Sequence, residues 1–285
     1  MKNENKTVVY EPESRRKMGF FKIWTIMFGN IIRSRELVFQ LFKRDFFGAY
    51  KKSFLGMTWI FISPILGIVS WVFMNATGVL NPGNVGIPYP AYVLIGSSIW
   101  GLFMGFYTAG EGTLGAGSGF ILQIRYPHEA LVAKQVAQHL ANFVIGFALN
   151  LAVMLFFHVI PSWKIVFFPL VTLPLLFLGT GLGLVISVVS VVAREIQAVV
   201  ALGLGFLIYL TPVIYSPDFD NRLLQQLIKW NPLTYLVCAA RDTMIYGRIS
   251  HLDRFIAASI FSLIVFLVSW KLFYVSEEKV IEKMI

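Results

Sequence analysis

Charged residues are scarce in this sequence. They make up 14% of its 285 residues, against 57% apolar residues and a mean hydropathy of +0.71, which excludes an ordinary water-soluble domain. The net charge of +9 could indicate nucleic-acid binding, but that function needs basic residues spread over a folded surface. Here they are concentrated in the first fifth of the chain, a distribution typical of a protein with one face at a membrane surface.

Several chemical motifs are also missing. The single cysteine, Cys238, excludes an intramolecular disulfide and a cysteine-built zinc site. No G-x-x-x-x-G-K-[ST] phosphate loop occurs, so we expect no ATPase site in this chain. The stretch from Gly110 to Gly115 matches a dinucleotide fingerprint, but no strand precedes it. His139 and His158 have no acidic companion at helical spacing, and we expect no catalytic residues, metal or cofactor here.

Long stretches without any Asp, Glu, Lys or Arg dominate the rest of the chain. A helix needs about 20 apolar residues to cross the hydrocarbon core, and the longest stretch holds two crossings separated by a turn at Asn81-Pro82-Gly83-Asn84. The alternative is that these runs are buried helices of a soluble protein. Six such runs in one short chain fit that alternative poorly. The sequence therefore predicts an all-α integral membrane protein with a six-helix transmembrane domain over 54–275. The predicted spans lie near 54–76, 91–108, 137–158, 165–192, 197–215 and 255–274.

The distribution of Lys and Arg predicts the orientation. Residues 1–53 hold twelve of these residues, and the other segments on the same side bring the number to eighteen. The alternate loops hold six, nearly all in one long segment. By the positive-inside rule both termini face the cytoplasm. Residues 276–285 are predicted to form a cytoplasmic tail. The apolar stretch from Met18 to Ile32 lacks a small-residue cleavage site, so we expect residues 1–30 to remain as a cytoplasmic extension, disordered over 1–17.

Residues 31–52 have the apolar spacing of an amphipathic helix lying in the cytoplasmic interface. Simple anchoring to anionic lipid and a gating role are both open for it. Asp45 lies at the edge of the apolar face, where a carboxylate is costly without a partner. We therefore predict an ion pair between Asp45 and a basic neighbour.

The sequence of the outer segment 216–254 predicts two short helices separated by Asn231-Pro232, each too short to cross the membrane. They either re-enter the outer leaflet or form a surface cap, and re-entry is favoured.

On the inner side, the cytoplasmic loop 109–136 ends in Tyr126-Pro127-His128-Glu129. Proline followed by an acidic residue predicts a short cytoplasmic helix beginning near Pro127, which is the best docking point for a soluble partner.

Aromatic residues crowd the first two predicted spans. Interfacial belts and packing against lipid explain many of them, but aromatic faces also stack on the C–H faces of sugars, so an uncharged aromatic lining would let a glycan slide. Gly179 and Gly183 have small-xxx-small spacing, for which chance is the favoured explanation because glycine is common in spans. The candidate glycan-channel residues are Trp59, Trp71, Phe73, Trp100, Phe103, Phe106 and Tyr107.

An ordered set of segments between about residues 30 and 275 resembles the permeases of ABC-2 type transporters that export polysaccharides. No single segment is specific, and the order of the set carries the resemblance. The segments are Arg44-Asp45, Tyr50 to Trp59 with Pro64, Pro88-Tyr89-Pro90 with Gly96 and Trp100, Arg125-Tyr126-Pro127, Arg194-Glu195, Thr211 to Tyr215, and Asn231-Pro232-Leu233 with Arg241.

The resemblance implies a homodimer in the inner (plasma) membrane with a channel between the protomers. It also implies two cytoplasmic ATPase subunits, which bind ATP and Mg, and an undecaprenyl-linked substrate such as O antigen, capsular polysaccharide or teichoic acid. Residues 31–52, with Arg44, Asp45 and Tyr50, would form a gate helix. The segment with Arg125, Tyr126, Pro127, His128 and Glu129 would couple to the ATPase, and Asn231, Pro232 and Arg241 would belong to the outer re-entrant helices.

Two features of the sequence limit this interpretation. Cys238 stands where the family has an acidic residue a few positions before Arg241, which puts any Glu–Arg pairing in that loop in doubt. The segment before the gate helix has no clear counterpart. An ABC-2 exporter of drugs or lipids is the alternative within transport, and a membrane transferase acting on lipid-linked sugars is the alternative among enzymes. The transferase would require clustered acidic residues that Glu111, Glu129 and Glu195 do not supply.

Overall fold

The computed structural model describes residues 19–51, 56–114, 127–217 and 222–284, and within these ranges the chain is helical with no strand. Short 3-10 turns are formed by Gly56–Thr58, Trp163–Phe167 and Ile208–Leu210. The α-helices are α1 (Phe20–Arg33), α2 (Arg35–Lys51), α3 (Trp59–Ala76), α4 (Tyr89–Glu111), α5 (His128–Phe156), α6 (Phe168–Ser190), α7 (Glu195–Leu207), α8 (Arg222–Trp230), α9 (Pro232–Ile245) and α10 (Leu252–Met284).

Five of the described helices are long and apolar enough to cross a membrane: α3, α4, α5, α6 with its preceding 3-10 turn, and α10. They correspond to five of the six predicted spans. The sixth, predicted over 197–215, is shorter in the structure: α7 and its 3-10 turn end at Leu210, and residues 211–217 are non-helical. Pro212 causes this ending, since proline disfavours helical geometry in the residue before it.

The centre of the bundle is a close crossing of α4 and α6. A Cβ atom added at Gly183 would lie 2.1 Å from the Tyr107 carbonyl oxygen, and one added at Gly179 would lie 2.8 Å from the Phe106 Cβ. Both glycines therefore face the backbone of α4, where no larger residue fits. The chance explanation for the Gly179/Gly183 spacing is wrong, because this spacing is what allows the two helices to meet.

The N-terminal helices differ from the predicted boundaries. The chain is helical from Phe20 and turns at Ser34, so most of the predicted interface helix corresponds to α2. It is preceded by a second helix, α1, which begins in the predicted extension and ends at Arg33. Ile23 and Met27 of α1 are fully buried, and the Trp24 ring lies 5.9 Å from that of Trp270 on α10. These apolar contacts dock α1 onto the bundle.

The inner loop also ends differently from the prediction. We expected a short cytoplasmic helix near Pro127 followed by a separate span, but α5 runs for 29 residues without a break. Between Ala130 and Phe156 the sequence has no proline to interrupt the helix. At the other end of the chain, the predicted tail 276–285 continues α10 through Met284.

Candidate functional site

A groove of about 870 Å³ runs between α3, α4 and α5 and is the candidate functional site. Its lining contains small, polar and aromatic residues, with His139 as the one titratable group among the described lining residues. The residues whose chemistry matters most are Trp59, Ser63, Gly67, Trp71, Ser97, Ser98, Gly101, His139, Asn142, Gly146 and Asn150.

The polar groups of the groove are held by hydrogen bonds between helices. The Ser98 hydroxyl on α4 donates to Oδ1 of Asn150 on α5 over 3.0 Å, and Asn150 is buried. Thr108 Oγ1 on α4 lies 3.3 Å from Nε2 of His139 on α5. Hydroxyl and amide groups both donate and accept hydrogen bonds, so this lining suits a hydroxyl-rich, uncharged ligand. It has no fixed charge that would bind an ion tightly.

The structure separates the seven predicted channel aromatics into three groups. Trp59 and Trp71 line the groove, and Phe73 is 65% exposed on the same helix outside it. The four on α4 are buried in the bundle core and do not line the groove, so a channel role for them stays a prediction. Their rings fill the space against α6 and its neighbours. These core residues are Trp100, Phe103, Phe106 and Tyr107.

Beyond the groove, residues 211–216 of the non-helical segment 211–217 are buried, and polar side chains satisfy part of their backbone. Nδ2 of Asn231 donates to the Leu210 carbonyl over 3.1 Å and to Oγ1 of Thr211 over 2.9 Å, while its Oδ1 caps α9. The Tyr92 hydroxyl donates to the Tyr215 carbonyl over 2.7 Å. Non-helical backbone inside a membrane protein requires such partners.

Arg241 provides a further partner for this segment. The side chain is 3% exposed, Nη1 donates to the Pro212 carbonyl over 2.8 Å, and the guanidinium lies 4.2 Å from the centre of the Tyr92 ring. Nη2 approaches Sγ of Cys238 at 3.4 Å. The doubt about a Glu–Arg pair is therefore justified: a thiol occupies that place, and a carbonyl and an aromatic face stabilise the charge.

At the end of the bundle predicted to face the cytoplasm, Asp45 joins α2 to α5. Its carboxylate lies 2.7 Å from Nζ of Lys134 and 2.7 Å from Nε of Arg44, which confirms the predicted ion pair. Partial burial alone would raise the pKa of Asp45, but the hydrogen bonds from Arg44 and Lys134 and their positive charges lower it below its ordinary value.

The residues predicted to dock an ATPase have mixed positions. Arg125 and Tyr126 lie outside the described residues. Pro127 precedes the first residue of α5, and the side chains of His128 and Glu129 are buried. Nδ2 of Asn30 on α1 donates to Oε1 of Glu129 over 3.4 Å. In the described chain Glu129 thus contacts the N-terminal helix, and ATPase docking stays a prediction. Of Tyr50, only the backbone, within α2, is described.

Several residues of the candidate site could not be predicted from the sequence because their signal is weak. Asn150 and Ser98 are isolated polar residues in apolar runs, and only their contact across two helices makes them a site. Lys134 was counted as a positive charge of the inner loop, although it is the partner of Asp45. Tyr92 was one aromatic among many. An uncharged polar residue inside a predicted span is the signal that could have identified Asn150.

Comparisons with known proteins point to one family. The sequence profile of the ABC-2 type transporter matches residues 36–245. The chain is similar to the O-antigen export system permease protein RfbA of Myxococcus xanthus, with 25% identity over 81% of this chain and 88% of the relative. RfbA of Klebsiella pneumoniae is 22% identical over 76% of this chain and 83% of the relative. The polysialic acid transport protein KpsM of Escherichia coli is 22% identical over 84% of this chain and 92% of the relative.

Proposed function

The chain belongs to the ABC-2 type transporter family, and on that premise we propose that it is the membrane permease of an ATP-driven exporter of polysaccharide. Relatives named as O-antigen export and polysialic acid transport proteins support the substrate class. Permeases of this family move a substrate while a separate subunit hydrolyses ATP. This division agrees with a sequence that has no phosphate loop.

The observation that carries the proposal is the groove between α3, α4 and α5. Its Trp59 and Trp71 rings offer faces on which sugar rings stack, and Ser98, Asn142 and Asn150 offer hydrogen bonds to hydroxyl groups. The absence of Asp, Glu, Lys and Arg from the described lining means that no single strong interaction would hold a moving chain. We propose that the groove is one wall of the path taken by the glycan.

We propose a six-span topology with both termini in the cytoplasm and the protein in the inner (plasma) membrane. The short span is α7 with its 3-10 turn, which is about 24 Å long at about 1.5 Å per residue, less than the hydrocarbon thickness of about 30 Å. The segment 211–217 with α8 and α9 would complete the outer leaflet as a re-entrant hairpin. The contacts of Asn231 and Arg241 with 210–212 support this arrangement because they satisfy its backbone.

We propose that two copies of the chain assemble with two ATPase subunits, which bind ATP and Mg. Two helices support the dimer, since α3 and α7 pack loosely on the bundle and expose apolar side chains, including Leu66 and Leu202 at 58% and 76%. The substrate would be attached to an undecaprenyl carrier and could be O antigen, capsule or teichoic acid. In this assembly α2 is the gate helix, and the segment from Arg125 to Glu129 lies at the ATPase.

Deletion of the gene in its host tests the proposal, with surface glycan and intracellular lipid-linked glycan assayed separately. We expect loss of surface glycan together with accumulation of lipid-linked material, which identifies the substrate. Re-expression of the chain should restore both pools. Normal glycan in both pools would contradict the proposal and favour an ABC-2 exporter of drugs or lipids.

A further inference from the structure

A second cavity, of about 750 Å³, lies beyond the outer end of the groove and shares no lining residue with it. The loop before α4, the segment 211–217, α8, α9 and the start of α10 surround it. Its volume is within the range of small-molecule sites in proteins. The chemistry of its walls differs from that of the groove because both acidic and basic side chains line it.

We propose that this outer cavity binds a short saccharide segment. Asp242, Asp253 and Arg254 provide charged, planar hydrogen-bonding groups. Tyr235 and Tyr246 provide aromatic rings beside them. Sugars are recognised by this combination, because their hydroxyl groups both donate and accept hydrogen bonds while the C–H faces of the ring pack on aromatic side chains.

Two charged groups of the outer cavity, those of Arg241 and Asp242, are fixed before a ligand arrives. Arg241 is held by the Pro212 carbonyl and the Tyr92 ring. Asp242 is 8% exposed, and its Oδ2 accepts a hydrogen bond from the Ser250 hydroxyl at 2.5 Å. Side chains held in this way lose little conformational freedom on binding, which favours a ligand that needs several directed hydrogen bonds.

The mixture of positive and negative groups favours saccharide hydroxyl groups over a free inorganic anion. Lys229, Arg241 and Arg254 line the outer cavity together with Asp242 and Asp253, so three positive charges face two negative ones. Two carboxylates disfavour a phosphate, whereas both signs of charge make strong hydrogen bonds to sugar hydroxyls. An acyl chain is disfavoured as well, because burying these ionised groups against it would leave them unsatisfied.

This inference rests on the proposed function, since the outer cavity would meet the glycan where it leaves the membrane. A site there would hold sugar units that have emerged and oppose their return. The saccharide could come from the exported chain or from free glycan outside the cell. Both sources share the same chemistry, and the experiment separates them.

The single cysteine of the chain provides the measurement. Cys238 lines the outer cavity and is partly exposed, so its reaction rate with a small neutral thiol reagent reports occupancy. The full chain would be purified in lipid nanodiscs, and the probe would be the lipid-free saccharide released by mild acid from the host's surface glycan. We expect the rate to fall at least five-fold with saturation below about 10 mM, a range that includes weak sites.

Matched variants assign the protection to the outer cavity. Tyr246→Ala removes a cavity ring and should abolish the protection, as should Asp253→Asn, which removes only a charge at an exposed position. The control is Tyr209→Ala. Tyr209 is 47% exposed, close to the 45% of Tyr246, but does not line the cavity, so this variant should keep the protection. A Cys238 reaction rate within two-fold of the parent's, measured without saccharide, shows that each variant keeps its fold.

Two results would overturn the inference: an unchanged Cys238 rate at every saccharide concentration, or protection by inorganic phosphate and none by saccharide. If gene deletion abolishes surface glycan while Cys238 remains unprotected, export stands and the saccharide site falls. In intact cells, labelling that is slower only when glycan synthesis is active identifies the exported chain as the occupant. Labelling that slows on adding saccharide to the medium identifies free glycan.

Discussion

Two tryptophans on neighbouring helices have opposite environments. Trp59 on α3 is 43% exposed and lines the groove, whereas Trp100 on α4 is 7% exposed, with its ring 5.3 Å from that of Phe103. The same residue type therefore serves the proposed glycan path in one helix and the bundle core in the other. Substitution can separate these roles, because one affects a surface and the other affects packing.

We predict that Trp59→Ala slows export while the amount of folded protein is retained, since it removes a ring from the groove and leaves no internal cavity. Trp100→Ala should instead destabilise the fold by about 3–5 kcal/mol, as large-to-small core substitutions do. Size-exclusion chromatography of the tagged protein and quantified surface glycan check both. Trp163→Ala, at a 73% exposed position outside the groove, is the control. Undiminished export by Trp59→Ala would remove this residue from the path.

At the scale of helices, two polar contacts join the N-terminal helices to the start of α5. Asn30 on α1 donates to Glu129, and Asp45 on α2 pairs with Lys134. Both α5 residues belong to its first two turns, immediately after the loop in which ATPase docking is predicted. A displacement of that end of α5 would therefore reach α1 and α2 directly, which makes the Asp45–Lys134 contact a measurable connection between the predicted coupling segment and the gate helix.

We predict that Asp45→Asn and Lys134→Met each lower the thermal midpoint of unfolding, and that their effects are not additive. The coupling free energy in a double-mutant cycle should be on the order of 1 kcal/mol, because the pair is only partly buried. Lys43→Met makes the same change at an exposed position of α2 and should have little effect. Strictly additive effects would show that the contact contributes nothing.

The same pair predicts a pH dependence. The folded-state pKa of Asp45 is lowered, so its stabilisation is present at neutral pH and is lost as the pH falls through the folded-state value. The coupling energy should accordingly be constant from pH 8 down to the ordinary range of an aspartate, near pH 4, and disappear below it. Repeating the thermal cycle at acidic pH checks the sign, and an energy that grew on acidification would be inconsistent with this assignment.

At the scale of the whole molecule, the bundle is packed unevenly. Most of α4 is buried, and its crossing with α6 at Gly183 brings the two backbones together. By contrast, α3 and α7 lie at the periphery with one buried residue each, Ile68 and Leu204. Lipid can cover such surfaces. Two loosely packed helices with broad apolar faces also provide a surface on which a second copy of the chain can pack to form a dimer.

We predict that the dimer forms through α3 of one protomer and α7 of the other. In a Cys238→Ser background, Leu66→Cys combined with Leu202→Cys should cross-link with a short bifunctional maleimide into a covalent dimer. Each of the two residues lies seven positions after the first residue of its helix, at matched depth in the proposed topology. The control pairs Leu66→Cys with Val268→Cys, which is 59% exposed on α10. Equal cross-linking in both pairs would contradict this interface.

Much of the fold could be predicted because hydropathy and turn chemistry act locally. The predicted spans overlap α3, α4, α5, α6 and α10, and Asn231-Pro232 separates α8 from α9 as expected. The prediction lost accuracy where the outcome depended on distant residues. Helix α1 is held by the α10 residue Trp270, and the start of α5 has no local signal that would divide it from its span.

The candidate site was less predictable than the fold. Reasoning from residue type grouped Trp59 with Trp100, since both are aromatic residues in apolar runs, and no local feature says which side of a helix faces the core. The need of Asp45 for a basic partner could be inferred from its own desolvation. Its partner on α5, Lys134, could not, because 89 residues separate the two in the chain.

The sequence by itself determined that this is a membrane protein, the approximate positions of its five long apolar helices, and the absence of a phosphate loop. These properties depend on composition and on residues close together in the chain. Only the tertiary structure decided which aromatic residues line the groove, why Gly179 and Gly183 are spaced as they are, and what holds Arg241. Each of these depends on contacts between helices distant in sequence, where packing leaves room for one arrangement of side chains.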